Sequence, residues 1–209
     1  EVVRMGVDTD RFRPPDPAGR KAVRAELGLE DEQRVIVFGG VVRPHKGVEW
    51  ILEAMRRTGD PRWRLLVIGP ITDTLSGLMG GPMGARIVVA GAKPSAEMPR
   101  WLGAGDLAVL PLADDLLAQS QVPCKVYEAM AMGLPVLASE VSDLSEIVAG
   151  AGATFPAGDV EALAGLLRQW FRDPSAVAAH AREARRRAVE LYGVDVMRTR
   201  RGMDDERLL

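Results

Sequence analysis

The sequence predicts an α/β fold built on a doubly wound parallel sheet, with amphipathic helices at its C-terminal end, and three observations carry that prediction. Short β-branched and aliphatic runs recur along the chain, and each is followed by a helical or turn-rich segment. The runs are continuously apolar rather than alternating, as strands covered on both faces are. Strand and helix alternate over roughly 120 residues, the pattern of a parallel sheet with helical crossovers.

The elements follow in order. "RVIVFGG" (Arg34–Gly40) reads as a strand leading to "GVEWILEAMRRT", where Val48, Ile51, Leu52 and Met55 mark one helical face. "WRLLVIGP" (Trp63–Pro70) reads as a strand leading into a Gly-rich stretch without clear periodicity, through Gly84. "ARIVVAG" (Ala85–Gly91) leads to "SAEMPRWLGAG", with Ser95 as the expected N-cap. "DLAVLPL" (Asp106–Leu112) passes through a polar loop to the helix "KVYEAMAM". "LPVLAS" leads to "VSDLSEIVAG", and "GATFPAG" leads to "DVEALAGLLRQWF". Residues 1–33 form a lead-in with a short helix, "AGRKAVRAELGL"; 34–173 hold the strand-helix array; 174–209 read as one or two charged amphipathic helices.

Composition narrows the function classes. The chain has 209 residues, 47% of them apolar, and a formal net charge of -2. That balance gives no global attraction to nucleic acid. No apolar run reaches the length of a membrane span, and the opening residues do not read as a signal peptide. A single cysteine, Cys124, rules out an internal disulfide and fits a reducing compartment. With only His45 and His180 beside it, a protein-only zinc site of the usual kind cannot be built. The basic run Ala181–Glu190 mixes acids and apolar residues at helical spacing and reads as a solvated face, with a membrane or partner contact as the alternative. Glu1 opens in mid-pattern, "VVRMGVD" reading as a strand into a loop, so an upstream part outside these residues is expected.

In an open parallel sheet, ligands bind where the carboxyl ends of the strands meet loops and helix N-termini. In the first such loop, "GGVVRPHKG", Gly39 and Gly40 allow close backbone approach and Arg43 and Lys46 supply positive charge ahead of a helix. A phosphate is the natural ligand; a tight turn with two solvent-facing cations is the alternative. The order Lys-Gly, with no Ser or Thr after the lysine, excludes a Walker A loop. "GAGDLA" precedes a strand instead of following one, so its glycines read as a helix end. Asp8 and Asp10 read as a surface turn, and Asp114 and Asp115 as a solvated loop rather than metal ligands.

The longest loop, "PLADDLLAQSQVPCK", offers Ser120, Gln121 and Lys125 as hydrogen-bonding side chains for an anion or a sugar hydroxyl. The backbone N–H groups of Val122, Cys124 and Lys125 fall at the start of a helix, where donors lack intrahelical partners. These suit a pyrophosphate. Glu128 lies about one turn further in, where a carboxylate can accept both hydroxyls of a ribose diol.

Taken together, "MGVDTDRFRP", "FGGVVRPHKGVEWILEAM", "LLVIGP", "ARIVVAG", "MPRWLGAGDLAVLPL", "KVYEAMAMGLPVLAS" and "GDVEALAGLL" occur in the order seen in the C-terminal half of GT-B fold glycosyltransferases. The chain most resembles the large retaining family 4, group 1, across most of its length. The resemblance implies a Rossmann-like half that binds a nucleotide-diphosphate sugar as substrate, with no cofactor and no metal. Lys46, with Arg43, would contact the donor pyrophosphate; Glu128 would bind the ribose hydroxyls. Gly91, Ala92 and Lys93 would lie near the base. Leu134 to Val136 would form a structural turn, and Glu146 would steady its loop.

Departures from the family pattern accompany the match. Ser120 stands where the family has the first glutamate of its E-x7-E motif, near the transferred sugar. "QVPCKVYE" resembles a subset reading "VPxKxYE", which implies a variant sugar site. Val41 stands where the phosphate arginine is usual, and Arg43 would serve instead. The family's N-terminal acceptor-binding domain is not among these residues, so the chain alone is expected to transfer nothing. The resemblance further implies a saccharide or lipid-linked acceptor, polysaccharide biosynthesis, a cytoplasmic setting at the inner membrane face, and peripheral membrane association through that other domain. A relative without catalysis that serves as a binding or assembly module is the alternative, as is another GT-B enzyme such as a phosphorylase or an epimerase.

Overall fold

The computed structural model describes residues 6–200. The strand part of "VVRMGVD" and the end of the C-terminal segment therefore lie largely outside the described residues. Six strands form one sheet: β1 (Arg34–Gly39), β2 (Trp63–Ile68), β3 (Ile87–Val89), β4 (Leu107–Leu110), β5 (Val136–Ser139) and β6 (Gly152–Phe155). Their order is β3-β2-β1-β4-β5-β6 and every pairing is parallel. The chain winds one way from β1 and then the other from β4. Parallel sheets open a ligand crevice at such a reversal, at the carboxyl ends of the two strands.

The apolar strands divide their side chains between two cores, since successive residues point to opposite faces. Ile36, Leu65, Val67, Val109 and Leu137 pack under α2 (Val48–Thr58) and α8 (Val160–Arg172). Val37, Leu66, Ala108, Val136 and Ala138 pack under α4 (Met98–Leu102), α6 (Cys124–Ala131) and α9 (Pro174–Tyr192). The helical face anticipated in α2 is wholly buried at Val48, Ile51 and Met55. Trading Ile51 or Met55 for Ala in such a core costs about 2–5 kcal/mol.

The ends pack onto the second of these cores. Helix α1 (Pro17–Glu26) starts at Asp16, whose carboxylate accepts from Gly19 N at 2.6 Å. From α1 the buried Arg24 donates to the carbonyls of Ala104, Glu30 and Gln33. Val7 exchanges backbone hydrogen bonds with Tyr192 and Val194, which joins the lead-in to the end of α9 and the start of α10 (Val194–Arg200).

Local expectations fail in three places. The Gly-rich stretch after β2 contains α3 (Asp73–Met79), started by the Thr72 hydroxyl accepting from Leu75 N. The loop after β4 contains α5 (Leu116–Ser120), started by the Asp115 carboxylate accepting from Ala118 N at 2.8 Å. Ser95 does not cap a helix. It opens a 3₁₀ turn behind Pro94, and its carbonyl and hydroxyl both accept from Arg11.

Candidate functional site

The crevice at the β1/β4 reversal has two lobes of about 230 Å³ each. The first is lined by Gly39, Gly40, Lys46, Pro111, Lys125 and Glu128, among others. The second is lined by Gly69, Pro70, Ala92, Lys93, Ser95 and Met98, and Gly40, Val41 and Lys125 border both. A recess lined by Lys46, Asp115 and Gln121 adjoins the first lobe through Lys46.

Glycine makes the crevice possible at two positions. Gly47, at φ +59, ends the 3₁₀ turn Pro44–Lys46; a Cβ there would stand 2.2 Å from the Pro111 carbonyl oxygen. Only glycine lets the β1 and β4 loops approach so closely, and this approach carries Lys46 into the cleft. Gly69 backs onto Gly40 in the same way, with a Cβ 2.0 Å from the Gly40 oxygen. Arg43 stays exposed at the start of that turn and is not among the residues lining the lobes.

Helix α6 begins behind Pro123 with no side-chain cap; Val126 N donates to the Pro123 carbonyl at 3.1 Å, and the backbone donors of Cys124 and Lys125 face no intrahelical acceptor. Lys125 and Glu128 both enter the first lobe and form an ion pair, Nζ to Oε2, at 2.9 Å. The i,i+3 spacing makes this contact readable in principle from the sequence. Glu128 is 15% exposed and Lys125 38%. Next to them, burial pushes the Cys124 thiol up, and the nearby Glu128 charge adds to the shift. Cys124 is therefore a neutral thiol, half-buried and outside the lining of the lobes.

Other anticipated residues sit less centrally. Gly91, at φ +79, turns the chain after β3 and brings Ala92 and Lys93 to the second lobe. The Lys93 ammonium lies 3.8 Å from the Trp101 ring centroid, a cation–π contact that fixes it there. Ser120 is exposed; its hydroxyl donates to Leu117 O at 2.9 Å, and it does not line the cleft. Val122 packs against the core. The lobes hold three lysines, Lys46, Lys93 and Lys125, against one carboxylate, Glu128, so their field favours an anion. Among the described residues, no three His, Cys, Asp or Glu side chains gather as a metal site would require.

Val41 and Pro111 lie in the loops expected at the ligand edge, but that they line the lobes depends on how those loops pack. A further contact ties the β5–α7 loop (α7 is Leu144–Val148) to α5. Ser142 lies at φ +50 and donates its backbone N–H to Gln119 Oε1 at 3.1 Å, while Gln119 donates to Asp114 at 2.6 Å.

Comparison with known proteins places this geometry in a family. A family model described as glycosyl transferases group 1 matches residues 32–173. The chain is 33% identical over 216 residues to a D-inositol 3-phosphate glycosyltransferase of Streptomyces avermitilis, covering 93% of this chain and 44% of that protein. A protein of the same name from Rhodococcus opacus is 32% identical over 90% of this chain and 44% of its own length. The chain thus spans under half the length of these curated relatives. In fold it is similar to Anabaena Alr3699/HepE, solved with UDP and glucose: TM-score 0.84 at 20% identity, over 97% of this chain and 56% of that one. It is also similar to the C-terminal domain of a group 1 glycosyl transferase from Francisella tularensis, with TM-score 0.74 at 22% identity, over 90% of this chain and 100% of that one. The chain belongs to the group 1 glycosyltransferases.

Proposed function

We propose that the chain is the donor-binding half of a retaining, metal-independent hexosyltransferase that moves a sugar from a nucleotide-diphosphate sugar to a saccharide or lipid-linked acceptor. One observation carries the reading: Lys46, Lys125, Glu128 and the open N-terminus of α6 converge on one cleft at the sheet reversal. A diphosphate there meets two ammonium groups and backbone donors, which neutralise the charge that grows as the sugar departs. Glu128 takes the ribose hydroxyls, and residues 91–93 border the base. Arg43, on the outer side of the same turn, adds positive potential without touching the ligand. Support for this donor class comes from the fold neighbour solved with UDP-glucose.

The acceptor would be held by an N-terminal domain facing the cleft, and that domain would carry any peripheral attachment to the inner membrane face. No helix among the described residues is long and apolar enough to cross a membrane. Half a cleft cannot position an acceptor, so this chain binds nucleotide and transfers nothing by itself.

Calorimetry with UDP, GDP and ADP tests the reading. Saturable binding of one of them supports it, and sugar transfer by this chain alone contradicts the division of labour. A second reading, a binding or assembly module without catalysis, is favoured by the exposure of Ser120 away from the cleft. It requires no nucleotide affinity, and the absence of binding to all three would select it.

A further inference from the structure

Lys125 occupies the one position on α6 that borders both lobes. Its stem runs beside Gly39, where a Cβ would lie 3.9 Å from Lys125 Cδ. Its ammonium is held at 2.9 Å by Glu128, the only carboxylate lining either lobe among the described residues. The carboxylate suited to a ribose diol is thus engaged with a cation suited to a diphosphate.

A cis-diol donates to both oxygens of a carboxylate, and Oε2 is the oxygen that Lys125 holds, so a diol using both oxygens competes with the ammonium there. The Lys125 side chain is 38% exposed, so water can receive its ammonium once it leaves the carboxylate, but a diphosphate in the cleft offers it a charge-assisted contact that water does not. The geometry points to a partner exchange. When a nucleoside diphosphate binds, the ribose hydroxyls take over Glu128 and the Lys125 ammonium passes to the diphosphate. This inference rests on the donor-site reading above and adds a coupling to it. The ribose displaces Lys125 most readily when a diphosphate is there to receive it. The site would therefore discriminate against free nucleosides more strongly than the sum of its separate contacts.

Lys125→Met keeps the apolar stem and removes the ammonium, and Lys125→Gln serves as a second variant with a neutral polar end. Each is titrated with uridine and UDP, guanosine and GDP, or adenosine and ADP, using the pair that the unaltered chain binds. Nucleoside affinity is read by displacement of a labelled diphosphate. Exchange requires diphosphate affinity to fall about tenfold or more, as expected for a lost charge-assisted contact. Nucleoside affinity must hold or rise, since its competitor for Glu128 is gone. Equal falls for both ligands assign Lys125 to holding Glu128 in place and overturn the exchange; unchanged diphosphate affinity overturns it too. The two levels fail separately. If the unaltered chain binds none of these ligands, the donor-site reading falls. If it binds and Glu128→Ala weakens it while both Lys125 variants leave it intact, only the exchange is lost.

Discussion

Arg185 donates from Nη1 to the Ala131 carbonyl at 2.8 Å, and so ties α9 to the last residue of the helix that carries Glu128. The same guanidinium reaches the carbonyls of Phe12 at 2.7 Å and Thr9 at 3.0 Å. Three segments distant in sequence thus meet on one side chain. The end of a helix leaves carbonyls unpaired and carries partial negative charge, so a cation is favoured there. Burial lowers the Arg185 pKa, yet an arginine remains charged. The basic run 181–190 is therefore only in part a solvated face. Arg185 and Arg187 turn onto carbonyls, while Arg186 pairs with Glu183 and Glu190 on the outside.

Replacing Arg185 by Met leaves those carbonyls without a donor and should cost about 2–4 kcal/mol of stability, the partners being counted together rather than added. Arg186→Met breaks only exposed pairs and should leave the denaturant midpoint nearly unchanged. Denaturant midpoints of the two variants decide the matter. Equal losses would mean that the inward contacts carry no special weight.

Ribose recognition by Glu128 has its own signature. Glu128→Ala should weaken nucleoside diphosphate binding by roughly tenfold to a hundredfold, the range of a charge-assisted hydrogen bond. It should leave a 2′,3′-dideoxy nucleotide almost unaffected, because the lost acceptor had nothing to accept there. Lys46→Ala should weaken both nucleotides alike. A dideoxy nucleotide that suffers as much as its parent from Glu128→Ala would place Glu128 elsewhere on the ligand.

The strands and the main crossover helices could be read in order because continuous β-branched runs and a 3.6 period are local signals. Glu128 and Lys46 both line the cleft, and an equally local rule, the position of each after a strand end, points to that edge. The short helices α3 and α5 carried local signals too, Thr72 and Asp115 at their N-caps, but each is too brief to show a period. What could not be read depends on distant partners. Ser95 looks like an N-cap until Arg11 claims its oxygens, and Arg43 looks equivalent to Lys46 until the turn leaves it outside. The Arg185 contacts span 54 residues to Ala131 and 173 to Phe12, beyond any pattern window.

Glycine substitutions should separate the cleft from the rest of the surface. Gly47→Ala sets a Cβ 2.2 Å from the Pro111 oxygen and 2.7 Å from Trp50, at a positive φ that alanine resists. A loss of at least about 2 kcal/mol is expected, together with weaker nucleotide binding as Lys46 shifts. Gly77→Ala, inside α3 with open space around its Cβ, should instead gain about 0.5–1 kcal/mol. Thermal melts of both proteins check the opposite signs; a neutral Gly47→Ala would show that the loops are not in forced contact.

Acid should act through Glu53. Arg56 donates to it at 2.6 and 2.7 Å and Arg57 at 2.8 Å, one turn further along α2. These hydrogen bonds, Arg56 first, hold its carboxyl at about 2, against an ordinary value of 4.5. A folded-state pKa below the unfolded one stabilises above the unfolded value, and that contribution disappears as pH falls through the folded value. The side chain is 33% exposed and Arg56 57%, so solvent screening keeps the contribution under about 1 kcal/mol. Glu53→Gln removes it. The stability difference between the unaltered chain and this variant should be full near pH 7, shrink as pH drops from 4.5 and vanish near 2. High salt should shrink it at neutral pH as well. A difference that stays constant from pH 7 to pH 3 would show that the arginines hold Glu53 by packing rather than by charge.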